Sequence, residues 1–240
     1  MFSEGDVIDI WTIDLISTGL SVERLRKVLS PEEQRRADRF RFERDRRRYI
    51  ICRSRLRFLL GQYIGCPAER VGFVYGQWGK PHLDQAGGCW FNVAHSHERA
   101  LIGVAWNREI GIDLECMRPM PDAEQLAEHF FSEKEKLAIR QTAHREECFF
   151  QIWARKEAFI KALGKGLSQP LDQFHVLNEK GETVDRIPDP EKKGTVYQIQ
   201  DIDIHKGYSA ALCVQGENSF TIRYRSLEEE ERDDRYIHRL

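Results

Sequence analysis

No run in the chain stays apolar over the roughly 18 residues that a membrane-spanning helix needs, so no membrane role is expected. The six cysteines, Cys52, Cys66, Cys89, Cys116, Cys148 and Cys213, are scattered, with neither a CxxC pair nor a His/Cys ligand spacing. That excludes a disulfide framework and a structural zinc site as readings. A basic leader is missing as well. MFSEGDVIDIWTIDLI carries acids where a signal peptide would carry bases, and a cytoplasmic protein is the expectation. Net charge is only -2, and no residue-level repeat is visible.

Hydrophobic residues make up 41% and charged residues 32% of the chain, enough for a real core under a densely charged surface. Its 240 residues suit one large domain or two small ones. The charge is unevenly placed. Between Arg35 and Arg57 the chain reads RRADRFRFERDRRRYIICRSRLR, whereas the tail from Glu228 reads EEEERDD. A basic helix face suits a polyanion, and a solvated, salt-bridged helix explains the same letters. No nucleic-acid recognition motif accompanies the arginines, so a phosphate-rich small ligand or an acidic protein is expected and nucleic acid is not.

Residues 7–15 are rich in β-branched and aromatic side chains and read as a strand. A short helix over 21–29 follows. Ser30-Pro31-Glu32-Glu33 then starts another, with Ser30 as cap and Glu33 completing a capping box. In the longer helix beyond it, Tyr49, Cys52, Leu56, Leu59, Leu60 and Tyr63 keep a helical period until Gly65 and Pro67 end it. Strands are expected at 71–75, 89–94 and 100–106. The order then recurs: a strand at 110–115, helices at 122–130, 132–142 and 146–163, and strands at 174–177, 195–200, 207–214 and 219–224, with a polar loop or exposed hairpin at 178–194. Strand, helices, strands twice over predicts two related α+β halves meeting near 107–109, with a ligand cleft between them.

Three stretches carry chemistry. In FFQIWARKEAFIKALGKGLS, residues 149–168, Phe149, Ile152, Trp153, Phe159, Ile160 and Leu163 share one arc at about 100° per residue. Lys156 projects from the middle of that arc and needs a carboxylate, a phosphate or a metal-bound anion, because a buried ammonium without a partner would rather deprotonate. Glu157 and Lys161, four apart, lie together on the flank, an arrangement that a surface ion pair would also produce. In Gly111-Ile112-Asp113-Leu114-Glu115 alternation puts Asp113 and Glu115 on one face of a strand, about 7 Å apart. Magnesium between them would relieve their repulsion, and Glu157 is a candidate third ligand. A solvated strand face is the simpler reading. Gly79-Lys80-Pro81 places a lysine on a rigid turn, and Asn92-Val93-Ala94-His95-Ser96-His97 ends a strand with groups suited to a phosphate or a base edge.

Asn-x-x-His-Ser, then Gly-Ile-Asp-Leu-Glu, then Trp153-Ala154-Arg155-Lys156-Glu157-Ala158-Phe159-Ile160-Lys161, in this order, resemble the 4'-phosphopantetheinyl transferases of the surfactin-synthetase class. The resemblance runs from about Ser30 to Leu171. It implies the 4'-phosphopantetheinyl transferase fold, two pseudosymmetric α/β halves of an α+β chain with the active site between them: 1–108 on the side of the coenzyme A adenosine and 3'-phosphate, 109–225 on the magnesium and catalytic side, and 226–240 a charged tail. It also implies a magnesium-dependent transfer of the phosphopantetheine arm of coenzyme A to a serine of a carrier-protein domain, releasing adenosine 3',5'-bisphosphate. By motif, Asp113, Glu115 and Glu157 would hold the metal and Lys161 would contact the phosphate under attack. The implied coenzyme A contacts are Arg48, Gly79, Lys80, Pro81, Asn92, His95, Ser96, Lys156 and Lys161. Ala94 departs from the serine of many members, which leaves more to His95.

For the proton of the attacking serine, Glu115 and Glu135 are the candidate bases, although Ser132-Glu133-Lys134-Glu135 is also a capping box. A monomer is expected, serving acidic carrier domains of fatty-acid, polyketide or nonribosomal peptide synthases through arginines of the 35–57 segment. The rival readings are a magnesium-dependent nucleotide hydrolase and a non-enzymatic polyanion-binding module.

Overall fold

Alternating apolar residues build two sheets that pack face to face, and helices cover their outer sides. The computed structural model describes residues 7–17, 20–84 and 87–227; the acidic tail from Glu228 lies outside the described residues. The chain runs β1 (Val7–Asp14), α1 (Val22–Arg26), α2 (Pro31–Asp38), α3 (Glu43–Ile64), β2 (Phe73–Tyr75), β3 (Pro81–Leu83), β4 (Cys89–Ser96), β5 (Arg99–Trp106) and β6 (Ile110–Cys116). It continues through α4 (Ala123–Phe130), α5 (Glu133–Gln141), α6 (Arg145–Leu163), β7 (Arg186–Pro188), β8 (Val196–Asp201), β9 (Tyr208–Gln215) and β10 (Thr221–Ser226). Among the described residues no helix is long and apolar enough to cross a membrane.

One sheet has the order β10-β1-β5-β4, the other β6-β9-β8-β7. β1 pairs antiparallel with β5 and β5 with β4; likewise β6 pairs antiparallel with β9 and β9 with β8. Each half thus begins with a strand that pairs with a later one of the same half, which gives the two α+β units. The side chains of β1 divide between cores: Trp11 and Ile13 join α3 and Phe91, whereas Ile8 and Ile10 meet Ile112, Leu114 and Leu212 between the sheets. α6 closes the outer face of the second sheet through Ile152, Ala154 and Phe159 against Tyr197, Ala211 and Cys213.

The structure departs from the expected order in four places, the first being β3, which was not expected and pairs antiparallel with β2 in a small two-stranded sheet. The strand expected at 174–177 is irregular chain with one isolated bridge, Leu177 to Thr183, because its polar groups bond to buried side chains described below. Within the segment expected as loop or hairpin, β7 forms instead, driven by Ile187, which is 4% exposed in the second core. And β10 leaves the second half to pair parallel with β1, so a division at 108 exchanges its last strand.

That exchange is held by a buried charge. Asp9 on β1 accepts from Arg223 Nη2 at 2.7 Å, from Arg225 Nε at 3.2 Å and from Tyr63 Oη at 2.6 Å, and Trp11 Nε1 donates to the same Tyr63 oxygen at 2.9 Å. Burial pushes the Asp9 carboxyl up, but the hydrogen bonds from Arg223 and Tyr63 and the two arginine charges outweigh it and hold it below the usual range. A carboxyl lowered in the fold stabilises fully above its unfolded value of about 3.9 and loses that contribution as pH falls through the lower folded value. Asp9→Asn is therefore expected to lower the urea-unfolding free energy at neutral pH by about 1–3 kcal/mol, Arg223 being partly solvated, with the gap to the unaltered chain closing below about pH 4. An unchanged gap on acidification would count against the charge.

Candidate active site

The site begins with a missing side chain. Gly111, Asp113 and Glu115 face α6, while Ile110, Ile112 and Leu114 face the core between the sheets. A Cβ on Gly111 would lie 2.0 Å from the Ala158 carbonyl oxygen and 2.3 Å from the Ala162 nitrogen. Only glycine lets the helix backbone touch the strand there. That contact sets Glu157 and Lys161 beside Asp113. Lys161 Nζ is 2.6 Å from Asp113 Oδ1 and donates to the Ile112 carbonyl at 3.3 Å. Asp113 is 4% exposed, and its Oδ2 is buried without a hydrogen-bond partner.

Glu115 and Glu157, both half-buried, feel the same charge. The Glu157 carboxyl is pushed up to about 7 by burial, then by Asp113 and Glu115, against the pull of Lys161. Burial and Asp113 also raise Glu115, which accepts from Ser96 Oγ at 3.3 Å. Three hard carboxylates, two of them raised by burial and by the third, which itself keeps an orphaned buried oxygen, match the donor chemistry of a magnesium site. Here Lys161 supplies the counter-charge, and among the described residues no three Asp, Glu, His or Cys side chains are drawn together tightly enough to hold a metal. Glu115 and Glu157 retain the exposure needed to turn.

From the first half, the edge strand β4 lies alongside β6. Asn92 Oδ1 accepts the Ile112 N–H at 2.9 Å and Ser96 Oγ accepts the Cys116 N–H at 3.0 Å, a constant offset that joins the two strands through side chains. His95, between them in sequence, is exposed at its mouth, while loss of solvent around the ring and then the Lys161 charge lower its pKa. Arg36 also acts on His95, and Arg118 on Glu115; neither was singled out from the sequence, where nothing but tertiary proximity marks them. Arg48 on α3 lies 3.7 Å from Glu98 in the turn after β4 and keeps a buried Nε without a hydrogen-bond partner. Gly79 closes the turn between β2 and β3, its N–H donating to Gly76 O at 2.9 Å, and Pro81 borders an apolar cavity of about 280 Å³ with His82, Trp90 and Phe91.

Three expected site residues point elsewhere. Lys156 and Glu135 are both fully buried and paired with each other at 2.8 Å. Lys156 Nζ also donates to the Leu171 and Phe174 carbonyls, each at 2.7 Å, while Glu135 accepts the Val176 and Ser132 N–H groups at 2.8 and 2.9 Å. The anion that Lys156 required is therefore Glu135, and the pairing leaves neither side chain open to solvent. Lys80 likewise turns inward, donating to the Ala162 and Ile110 carbonyls at 2.8 and 3.1 Å.

The 4'-phosphopantetheinyl transferase superfamily model matches residues 109–213, and the model for the N-terminal part of 4'-phosphopantetheinyl transferases matches 20–107. The 4'-phosphopantetheinyl transferase psf-1 of Bacillus pumilus is 33% identical over 87% of this chain and 88% of its own length. HetI of Nostoc sp. is 38% identical, covering 69% of this chain and 72% of that protein, and Sfp of Bacillus subtilis is 30% identical, covering 80% and 84%.

Two substitutions separate support from site. Glu135→Gln strips the charge from a sealed pair and should cost about 3–5 kcal/mol of unfolding free energy, while single-turnover rates per folded molecule stay within about threefold. Gly111→Ala forces α6 off the strand and should lower the single-turnover rate about 100-fold with helix content by circular dichroism retained. The reverse ranking would reassign Glu135 to the chemistry.

Proposed function

The chain belongs to the 4'-phosphopantetheinyl transferases, and we propose that the acids on β6 and α6, with basic groups from the first half, carry the reaction of that family here. It transfers the 4'-phosphopantetheine moiety of coenzyme A to a serine of an apo carrier-protein domain. The observation that carries the residue assignment is the convergence of Asp113, Glu115 and Glu157 around Lys161, with Asp113 Oδ2 left unpartnered. Asp113, Glu115 and Glu157 would hold magnesium on the diphosphate, where the ion supplies neutralisation of the charge that spreads over the phosphate oxygens.

In this reading the serine oxygen attacks the phosphorus nearest the pantetheine arm, the bond to the adenosine bisphosphate breaks, and the serine proton goes to a carboxylate. With Glu135 sealed in the core, Glu115 remains of the two candidate bases; it is half-buried and already oriented by Ser96. Lys161 places a positive charge at the phosphate under attack. His95 and Arg48 take the 3'-phosphate of the adenosine, helped by Arg36, and the cavity beside Pro81 with its flat rings suits the adenine. Division of labour follows the halves, the first binding coenzyme A and the second holding the reacting diphosphate. Acidic carrier domains are steered by exposed arginines of the 35–57 segment, Arg39, Arg41 and Arg47 among them, whereas Arg53 and Arg57 are already committed to Glu33.

Incubation with coenzyme A, magnesium and a panel of apo carriers, followed by mass spectrometry, tests this. Carriers should gain the phosphopantetheine mass, Asp113→Asn should slow the gain at least about 100-fold, and the bimolecular rate should fall as ionic strength rises. Consumption of coenzyme A with no carrier made heavier would replace the transferase by a hydrolase.

A further inference from the structure

We propose that Lys80 is a positioning residue: from the first half it pins α6 to β6 and so sets the distance between Glu157 and Lys161 on the helix and Asp113 on the strand. Its ammonium has two acceptors on two different elements. Ala162 O belongs to the last turn of α6, where carbonyls have no partner within the helix, and Ile110 O opens β6. A cation at a helix C-terminus also meets the negative end of the helix dipole. Ala162 directly follows Lys161, and Ile110 lies two residues before Ile112, whose carbonyl Lys161 itself contacts.

The packing around the lysine is built for this reach. Lys80 is 9% exposed, and its stem lies over the helix stop at Gly164, where a Cβ would come within 3.1 Å of Lys80 Cδ. Gly164 has φ +70°, so glycine both ends the helix and leaves room for the lysine to cross. Burial pulls the ammonium down to about 8, with Glu109 acting the other way, and an amine in either protonation state still donates to carbonyls. A group so enclosed meets coenzyme A only by abandoning both acceptors. Its effect on the reaction is therefore exerted through the helix.

The inference rests on the transferase reading for its kinetic consequence but not for its structural one, and the two are measured apart. Lys80→Met keeps the unbranched apolar stem and removes the donors. In the full chain without substrate, amide hydrogen exchange across 158–164 and 110–116 should accelerate at least about tenfold while β1 and β5 keep their protection. With coenzyme A, magnesium and an apo carrier, kcat should fall about tenfold and KM for coenzyme A should stay within about twofold. Lys80→Arg, which retains donors for both carbonyls, should recover the protection and most of the rate. A rise of tenfold or more in the KM for coenzyme A with kcat and exchange unchanged would overturn the proposal, as would unaltered exchange in Lys80→Met, or Lys80→Arg restoring stability without restoring kcat. Should Lys80→Met fail to fold, the same exchange and kinetic readings on Lys80→Arg decide. Absence of any transfer by the unaltered chain would sink the transferase reading and leave the exchange result to stand.

Discussion

A helix backbone resting on a strand with no side chain between them is the constraint from which the rest of this molecule follows. The contact at Gly111 brings α6 down onto β6, and it does so at the turn of helix that carries Glu157 and Lys161. Three carboxylates and one ammonium are then brought together where Asp113 is buried and Glu115, Glu157 and Lys161 are only partly solvated. The upward push on Glu157 and Glu115 and the orphaned oxygen of Asp113 are the electrical cost of that approach. A protein that merely needed a stable helix would have no reason to bear it. The cost is intelligible if a divalent cation and a diphosphate later share the space.

Three lysines flank this contact, and their chemistry is decided by where their stems lead. Lys161 leaves the helix toward solvent and meets Asp113 part-way, keeping 30% of its side-chain surface exposed. Lys156, on the buried face, is neutralised by Glu135 and spends its other protons on the carbonyls of Leu171 and Phe174. That pair does the work of a sheet edge: the backbone around 171–176 finds its partners in side chains, which is why residues with strand-like composition form no strand. Lys80 reaches the same neighbourhood from the other half. A buried ion pair of this kind adds little net stability over an apolar core, so its value lies in specificity, fixing one path for an irregular segment.

Much of this was legible beforehand, and the limits have physical causes. The two-half order, the long helix ending at Gly164, the alternation that puts Asp113 and Glu115 on one face and the capping box at Ser30 are local patterns, and all are present. The need of Lys156 for an anion was also readable, because burial of an ammonium follows from helical period alone. Which anion was not, since Glu135 lies on another helix and its capping-box spacing pointed only to its own N-terminus. Similarly, the strand at 186–188 is a three-residue stretch in a polar segment, below the length at which alternation carries a signal, and β10 joins the first sheet through a parallel pairing that nothing local encodes.

The seam between the halves explains why the site needs both. β4 presents Asn92 and Ser96 to β6, and each takes up a backbone N–H that a ladder partner would otherwise have satisfied, Ile112 and Cys116. Because the two acceptors are spaced as the two donors are, the strands are locked in register without a continuous backbone ladder. His95 lies between these two anchors in sequence, on the strand they hold, close enough for the charges of Lys161 and Asp113 to act on its ring. A coenzyme spanning the seam would meet a binding surface and a reacting centre whose separation is set by side-chain hydrogen bonds, with β10 and its Asp9 network closing the same two halves from the far edge. A seam held in this way would serve a phosphoryl transfer, where positioning supplies most of the catalysis.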